Sequence, residues 1–152
     1  LRSAPEGFIA ADLGGELIGG GSIVSYGGRF GFMGFFIIRP DHRGRGLGRR
    51  LWLHRRDRLI ARLRAPPVIG MDGVFAMQGF YAREGFVLSN RDLRFEGVGA
   101  AAPADSLVDL ASVPFAERHG MREVFGCARM CYGPPPVLPQ GEIFGVTTFE
   151  LG

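Results

Sequence analysis

Residues 38–48 read Ile38-Arg39-Pro40-Asp41-His42-Arg43-Gly44-Arg45-Gly46-Leu47-Gly48. Before them lies Phe30–Ile38 (FGFMGFFII), a nearly continuous apolar run that suits a strand buried on both faces. Pro40 stops that strand. After the glycines, residues from about Gly46 to Arg64 predict a helix, with Trp52, Leu59 and Leu63 on one stripe and Pro66-Pro67 as its terminator. A buried strand, a glycine-rich loop and a helix start therefore follow one another. The first turn of a helix leaves N–H groups unpaired, and with the helix dipole they form an anion site. Gly44, Gly46 and Gly48 would let a phosphate approach the backbone, and Arg43 and Arg45 would add charge-assisted hydrogen bonds.

The charge distribution points the same way. All 18 basic residues are Arg. Residues 39–64 hold ten Arg and two Asp, a local +8 against +3 for the whole chain. An excess concentrated in one loop and helix suits an anionic ligand. Two familiar phosphate loops are excluded. The glycine spacing is G-x-G-x-G, not the dinucleotide G-x-G-x-x-G, and Arg49 follows Gly48 where a P-loop needs Lys. Nucleic acid is disfavoured as partner, because the Arg-rich helix has no stacking platform and Trp52 falls on its core stripe.

The rest of the chain has the content of one ordinary core. Gly7–Leu13, Leu17–Tyr26 and Phe30–Ile38 predict strands, separated by the turns Gly14-Gly15-Glu16 and Gly27-Gly28-Arg29. After the long helix come a short strand at Val68–Met71, a short helix at Phe75–Glu84 capped by Gly85, and a strand at Phe86–Phe95. The order β-β-β-α-β-α-β predicts an α+β (mixed α/β) fold. Val98–Asp105 has a linker's composition. Beyond it the sequence echoes itself at an offset of 35: Arg83/Arg118, Gly85/Gly120, Phe86/Met121, Arg94/Arg129 and Phe95/Met130. Ala116–Met130 thus reads as a second short helix plus strand, and Ile143–Leu151 as a last strand after the proline loop Pro134–Pro139. Cys127 and Cys131 would share a strand face about 13 Å apart, too far for a disulfide. Without a nearby His pair they make no zinc site, so no metal is expected. No apolar run nears the roughly 20 residues of a membrane span, and no leader pattern is visible, so a cytoplasmic location is expected.

Arg43-x-x-Gly46-x-Gly48, after a strand and Pro40, resembles the R/Q-x-x-G-x-G/A signature of the GNAT N-acetyltransferase superfamily. Tyr81-Ala82-Arg83-Glu84-Gly85-Phe86 looks like that family's Y-x-x-x-G-F element. The resemblance implies acetyl-coenzyme A as co-substrate, held by Phe36, Ile37 and Ile38 and by the loop residues Arg43, Gly44, Arg45, Gly46, Leu47 and Gly48. It implies a cleft where Phe35–Ile38 splays from Val68–Met71, and Tyr81 as the group that protonates the departing thiolate. Many members carry Asn where this chain has Val74. The implied reaction is direct acetyl transfer to an amine, of a small molecule or a peptide, in a ternary complex. No Ser-His-Asp or Cys-His order suggests a covalent intermediate. Asp72 is the candidate base, with Glu84 and His42 as weaker ones. Residues 1–97 also resemble the first module of bacterial two-module GNAT proteins without its front strand and helices. Residues 98–115 would be a linker and 116–152 the remnant of a second module. The start at Leu1 suggests a missing N-terminus, and a homodimer is compatible with this reading. A degenerate module that holds acyl-CoA without turnover is the competing reading.

Overall fold

The computed structural model describes residues 5–98, 113–135 and 137. Three strands come first: β1 (Phe8–Leu13), β2 (Glu16–Tyr26) and β3 (Phe30–Ile38), paired antiparallel through the two glycine turns. Then follow α1 (Leu47–Ile60), β4 (Ile69–Val74), α2 (Gln78–Arg83), β5 (Val87–Glu96), α3 (Val113–Arg118) and β6 (Arg122–Tyr132). The strands form one sheet in the order β1-β2-β3-β4-β6-β5. Only β3 and β4 run parallel among these pairs. This is the expected α+β architecture. Among the described residues no helix is long and apolar enough to cross a membrane.

The core lies between α1 and the sheet. Trp52 and Leu59 of α1 pack with Ile23, Met33, Ile69, Met71, Tyr81, Phe86, Ala128 and Met130. Trp52 is its hub: its ring lies 4.9–5.8 Å from those of Phe36, Phe80, Tyr81 and Phe86. Truncating such a side chain costs about 3–5 kcal/mol. The helix stops at Ile60, short of the expected Arg64. The turn between β2 and β3 intercepts it: the Ser25 hydroxyl donates to the Arg62 carbonyl, and the Arg64 N–H donates to Gly28 O at 2.8 Å. Tertiary hydrogen bonds, rather than Pro66, end this helix.

The segment expected to begin a second module joins the same sheet. β6 is wedged between β4 and β5, with six register pairs to β4 and nine to β5. Its first strand is therefore no separate body, because β5 reaches β4 through it. The offset of 35 extends to the element limits: α2 and α3 span 78–83 and 113–118, and β5 and β6 begin at 87 and 122. The connecting turns match too. Gly85 and Gly120 have positive φ (92° and 64°). Phe86 N–H bonds Tyr81 O at 3.1 Å, and Met121 N–H bonds Ala116 O at 2.9 Å. Both helices thus end in the same left-handed glycine closure. Linker residues 99–112 and the expected strand Ile143–Leu151 lie outside the described residues.

Candidate active site

The β3–β4 ladder has three register pairs, ending at Met33↔Met71. Beyond it β3 continues to Ile38 and β4 to Val74 with no pairing between them. The strands splay as expected, but the β4 side of the opening is Asp72–Val74. Val68–Met71 is the stretch that pairs, Val68 accepting from Gly31 N–H at 2.9 Å. The cause is local to β3. Register with β2 shifts between Gly20 and Ser22, and Phe35 sits at φ 41°, a conformation rare outside glycine.

The glycine loop lies at the end of this diverging strand. Pro40–His42 forms a single 3₁₀ turn, and Arg43 Nε donates to Ile38 O at 2.8 Å, folding the loop back on β3. Gly46 caps α1 at φ 76°. The first intrahelical bond runs from Arg50 N–H to Gly46 O, so the N–H groups of Leu47, Gly48 and Arg49 have no helical acceptor. A Cβ on Gly44 or Gly46 would meet nothing within 4 Å, so the loop is open there. Gly48 faces inward, and its Cβ would lie 3.5 Å from Ile38 and 3.6 Å from Phe36. Phe36 turns toward α1, its ring 5.5 Å from Trp52. Ile37 points the other way, into an open apolar groove of about 560 Å³ shared with Phe8, Leu17 and Phe35.

His42 is buried, and its Nδ1 lies 3.3 Å from Arg45 Nη1 while Nε2 lies 3.5 Å from Asp41 and 3.7 Å from Glu16. It braces Arg45 and does not face an open ligand surface. Glu84 is engaged as well: Arg49 Nε donates to it at 2.8 Å, tying the first turn of α1 to the end of α2.

Tyr81 projects from α2 onto β4, where a Cβ on Gly73 would collide with its ring. It is 4% exposed, and burial raises its phenol above the ordinary value, with Arg55 opposing the shift. Asp72 does not suit the role of base. Both its oxygens accept from Arg129, Oδ1 from Nε at 2.5 Å and Oδ2 from Nη2 at 2.8 Å, and its side chain has no exposed surface. A carboxylate held in two prongs by a guanidinium is a poor proton acceptor. Sequence proximity to the cleft suggested a base; the partner 57 residues away on β6 makes it a cross-strand tie.

Both cysteines are free and buried, and burial pushes the Cys127 thiol up to about 12, so it offers no thiolate nucleophile. Among the described residues, two trios of carboxylate, His or Cys side chains bring their ligand atoms within 4.8 Å of one another: Glu16/Asp41/His42 and Asp72/Asp92/Cys127. In the first, Arg39 bonds Glu16 and Asp41; in the second, Arg129 holds Asp72. Arg55 lies outside the residues that the sequence singles out. It has no measurable exposure, and its Nη2 donates to Ser22 O at 2.6 Å and Gly34 O at 2.5 Å. Its position three residues after Trp52 and four before Leu59 was the signal that it lies on the core face.

Residues 1–86 match the model of the Acetyltransferase (GNAT) family. The chain belongs to the GNAT acetyltransferase family. No curated protein matches it significantly. Solved structures share the GNAT fold at low identity. A candidate acetyltransferase from Pyrococcus horikoshii aligns with TM-score 0.80 and 14% identity, over 99% of this chain and 82% of that one. A GNAT family acetyltransferase from Elizabethkingia anophelis with acetyl-CoA bound aligns with TM-score 0.55 and 13% identity, over 82% and 74%. Naa50 from Arabidopsis thaliana, in complex with the bisubstrate analogue CoA-Ac-MVNAL, gives 0.56 and 13%, over 84% and 73%. The GNAT family match ends at Phe86, so it includes the loop, the splayed strands and Tyr81. The sheet order places β5 and β6 beside this GNAT segment as one body.

Proposed function

We propose that the chain binds acetyl-coenzyme A between the diverging ends of β3 and β4 and transfers the acetyl group directly to an amine. The observation that carries this is the opening of β3 from β4 immediately before a glycine-capped helix with free N–H groups. In this reading residues 5–98 and 113–132 act as one acyl-CoA-binding core. The pyrophosphate rests on the N–H groups of Leu47, Gly48 and Arg49, with the charges of Arg43 and Arg45 nearby. The pantetheine arm runs along the backbone of Phe36–Ile38 toward Tyr81. As the amine nitrogen attacks the carbonyl carbon, the C–S bond breaks and the sulfur takes the Tyr81 proton. Burial favours the neutral phenol, the form that an acid needs. The amine's own proton leaves to solvent or to an acceptor other than Asp72. Fold relatives that carry acetyl-CoA or a coenzyme–peptide analogue support the class of donor and of acceptor. A small-molecule or peptide amine is the proposed acceptor.

Calorimetry with acetyl-CoA tests the loop. Gly46→Ala adds strain at φ 76° without a clash and should cost about 1–2 kcal/mol of local stability, with binding weakened only a few-fold. Gly46→Glu places a carboxylate in the anion site and should weaken binding at least about 100-fold. Unchanged affinity in the Glu variant rejects the assignment. Thiol release with a panel of amines separates turnover from mere holding of acyl-CoA.

A further inference from the structure

We propose that Arg55 is the positioning residue that holds β3 open from β4, by clasping the two facing carbonyls of the register pair that borders the bulge with one buried guanidinium nitrogen. The proposal rests on the coenzyme-binding reading above and adds to it the device that fixes the cleft.

Arg55 is an unusual core residue. A buried cation is costly, and it normally sits against a carboxylate. No carboxylate among the described residues is within ion-pair distance of it. Its surroundings are the ring of Phe36, 5.5 Å from the guanidinium carbon to the centroid, and the ring of Trp52 at 5.9 Å. Nε and Nη1 are buried with no hydrogen-bond partner. Desolvation lowers its pKa to about 10, still well above neutrality, so it stays charged. Such a group costs stability and returns two hydrogen bonds from Nη2, to Ser22 O and Gly34 O.

Those two carbonyls belong to the decisive place in the sheet. Ser22 and Gly34 are register partners, directly after the shift in the β2–β3 ladder. Gly34 is the first β3 residue beyond the last pair with β4, and Phe35, with its positive φ, comes next. Room for the guanidinium is made by Gly21, where a Cβ would overlap it and the Phe35 carbonyl. Bulge, glycine and arginine form one unit. Without the clasp, two inward carbonyls lose their donor, and the bulge loses the contact that fixes where β3 leaves β4.

The test uses the whole chain and two ligands. Coenzyme A carries both pyrophosphate and pantetheine; adenosine 3′-phosphate 5′-diphosphate carries the pyrophosphate and lacks the arm. Arg55→Met keeps an unbranched stem in the same core position but removes the donors. Coenzyme A affinity should fall at least about tenfold in this variant, while the nucleotide's stays within about twofold. Arg55→Lys, with one donor centre on a shorter reach, should fall between wild type and the Met variant, and it serves if the Met variant does not fold. Equal loss for both ligands makes Arg55 a plain stability residue and overturns the proposal, as does no loss for either. Wild type that binds neither ligand overturns the coenzyme reading instead. The clasp is then judged by hydrogen exchange of the ligand-free protein. Amides 34–38 should exchange at least about tenfold faster in Arg55→Met, with those of β1 unchanged. Unchanged exchange at 34–38 sinks the clasp whatever the ligand results.

Discussion

Tyr81 and Asp72 stand nine residues apart, one packed against Gly73 and the other held by Arg129. Tyr81, on α2, packs its ring against Gly73 of β4 at the open end of the cleft and is buried and neutral. Tyr81→Phe keeps the ring on Gly73 and removes the proton donor. Its kcat should fall about 100-fold with acetyl-CoA affinity unchanged, measured by thiol release beside calorimetry. The wild-type rate should also decline at alkaline pH. The protonated phenol is the active form, and burial raises its pKa above the ordinary phenol value, so activity persists below that raised pKa and is lost as pH rises through it. The Phe variant should lack that decline. An unchanged kcat returns Tyr81 to packing. The glycine loop was legible because its chemistry is local: six consecutive residues supply the turn, the cap and the charge. For Arg55 the spacing from Trp52 and Leu59 signals the core face, but its partners were not legible, because they are backbone carbonyls beside a bulge in the sheet opposite.

Between strands, side-chain ties add to the backbone ladder. Asp72 on β4 and Arg129 on β6 are register partners whose side chains make two hydrogen bonds. Asp72→Asn keeps the shape and removes the charge, which leaves Arg129 without its counter-ion. Unfolding in urea should show a loss of about 3 kcal/mol, while turnover per folded molecule stays within about threefold of wild type. A fall of 10²-fold or more in kcat with stability intact would restore Asp72 as the base. The three leading strands and α1 were legible from periodicity and turn residues, since each repeats a local pattern. The end of α1 was not, because hydrogen bonds from a turn some 35 residues earlier set it. The splay was legible only through the motif: its cause, a bulge with Phe35 at positive φ, leaves no mark in a run of apolar residues.

For the whole molecule, the insertion of β6 between β4 and β5 decides stability. Among the described residues β6 is paired on both sides, and β1 on one. Amides of Cys127–Cys131 should therefore be among the slowest to exchange, at least about 10³-fold slower than those of β1. Mass-spectrometric exchange that finds β6 as labile as β1 would show that the second helix–strand unit is only loosely attached. The echo at offset 35 was legible as a repeat, but its place in the sheet was not. A repeat announces a similar unit and says nothing of where that unit pairs. Its position has a consequence for synthesis. On the ribosome β4 emerges with its far edge bare, and β5, although made next, is not its neighbour. The strand that joins them begins 48 residues after β4 ends (122 − 74), about 2–10 s at ordinary elongation rates. During that interval the nascent chain presents the edge of β4 and both edges of β5 to whatever else is present, so this is the stage at which chaperone binding or mispairing should concentrate.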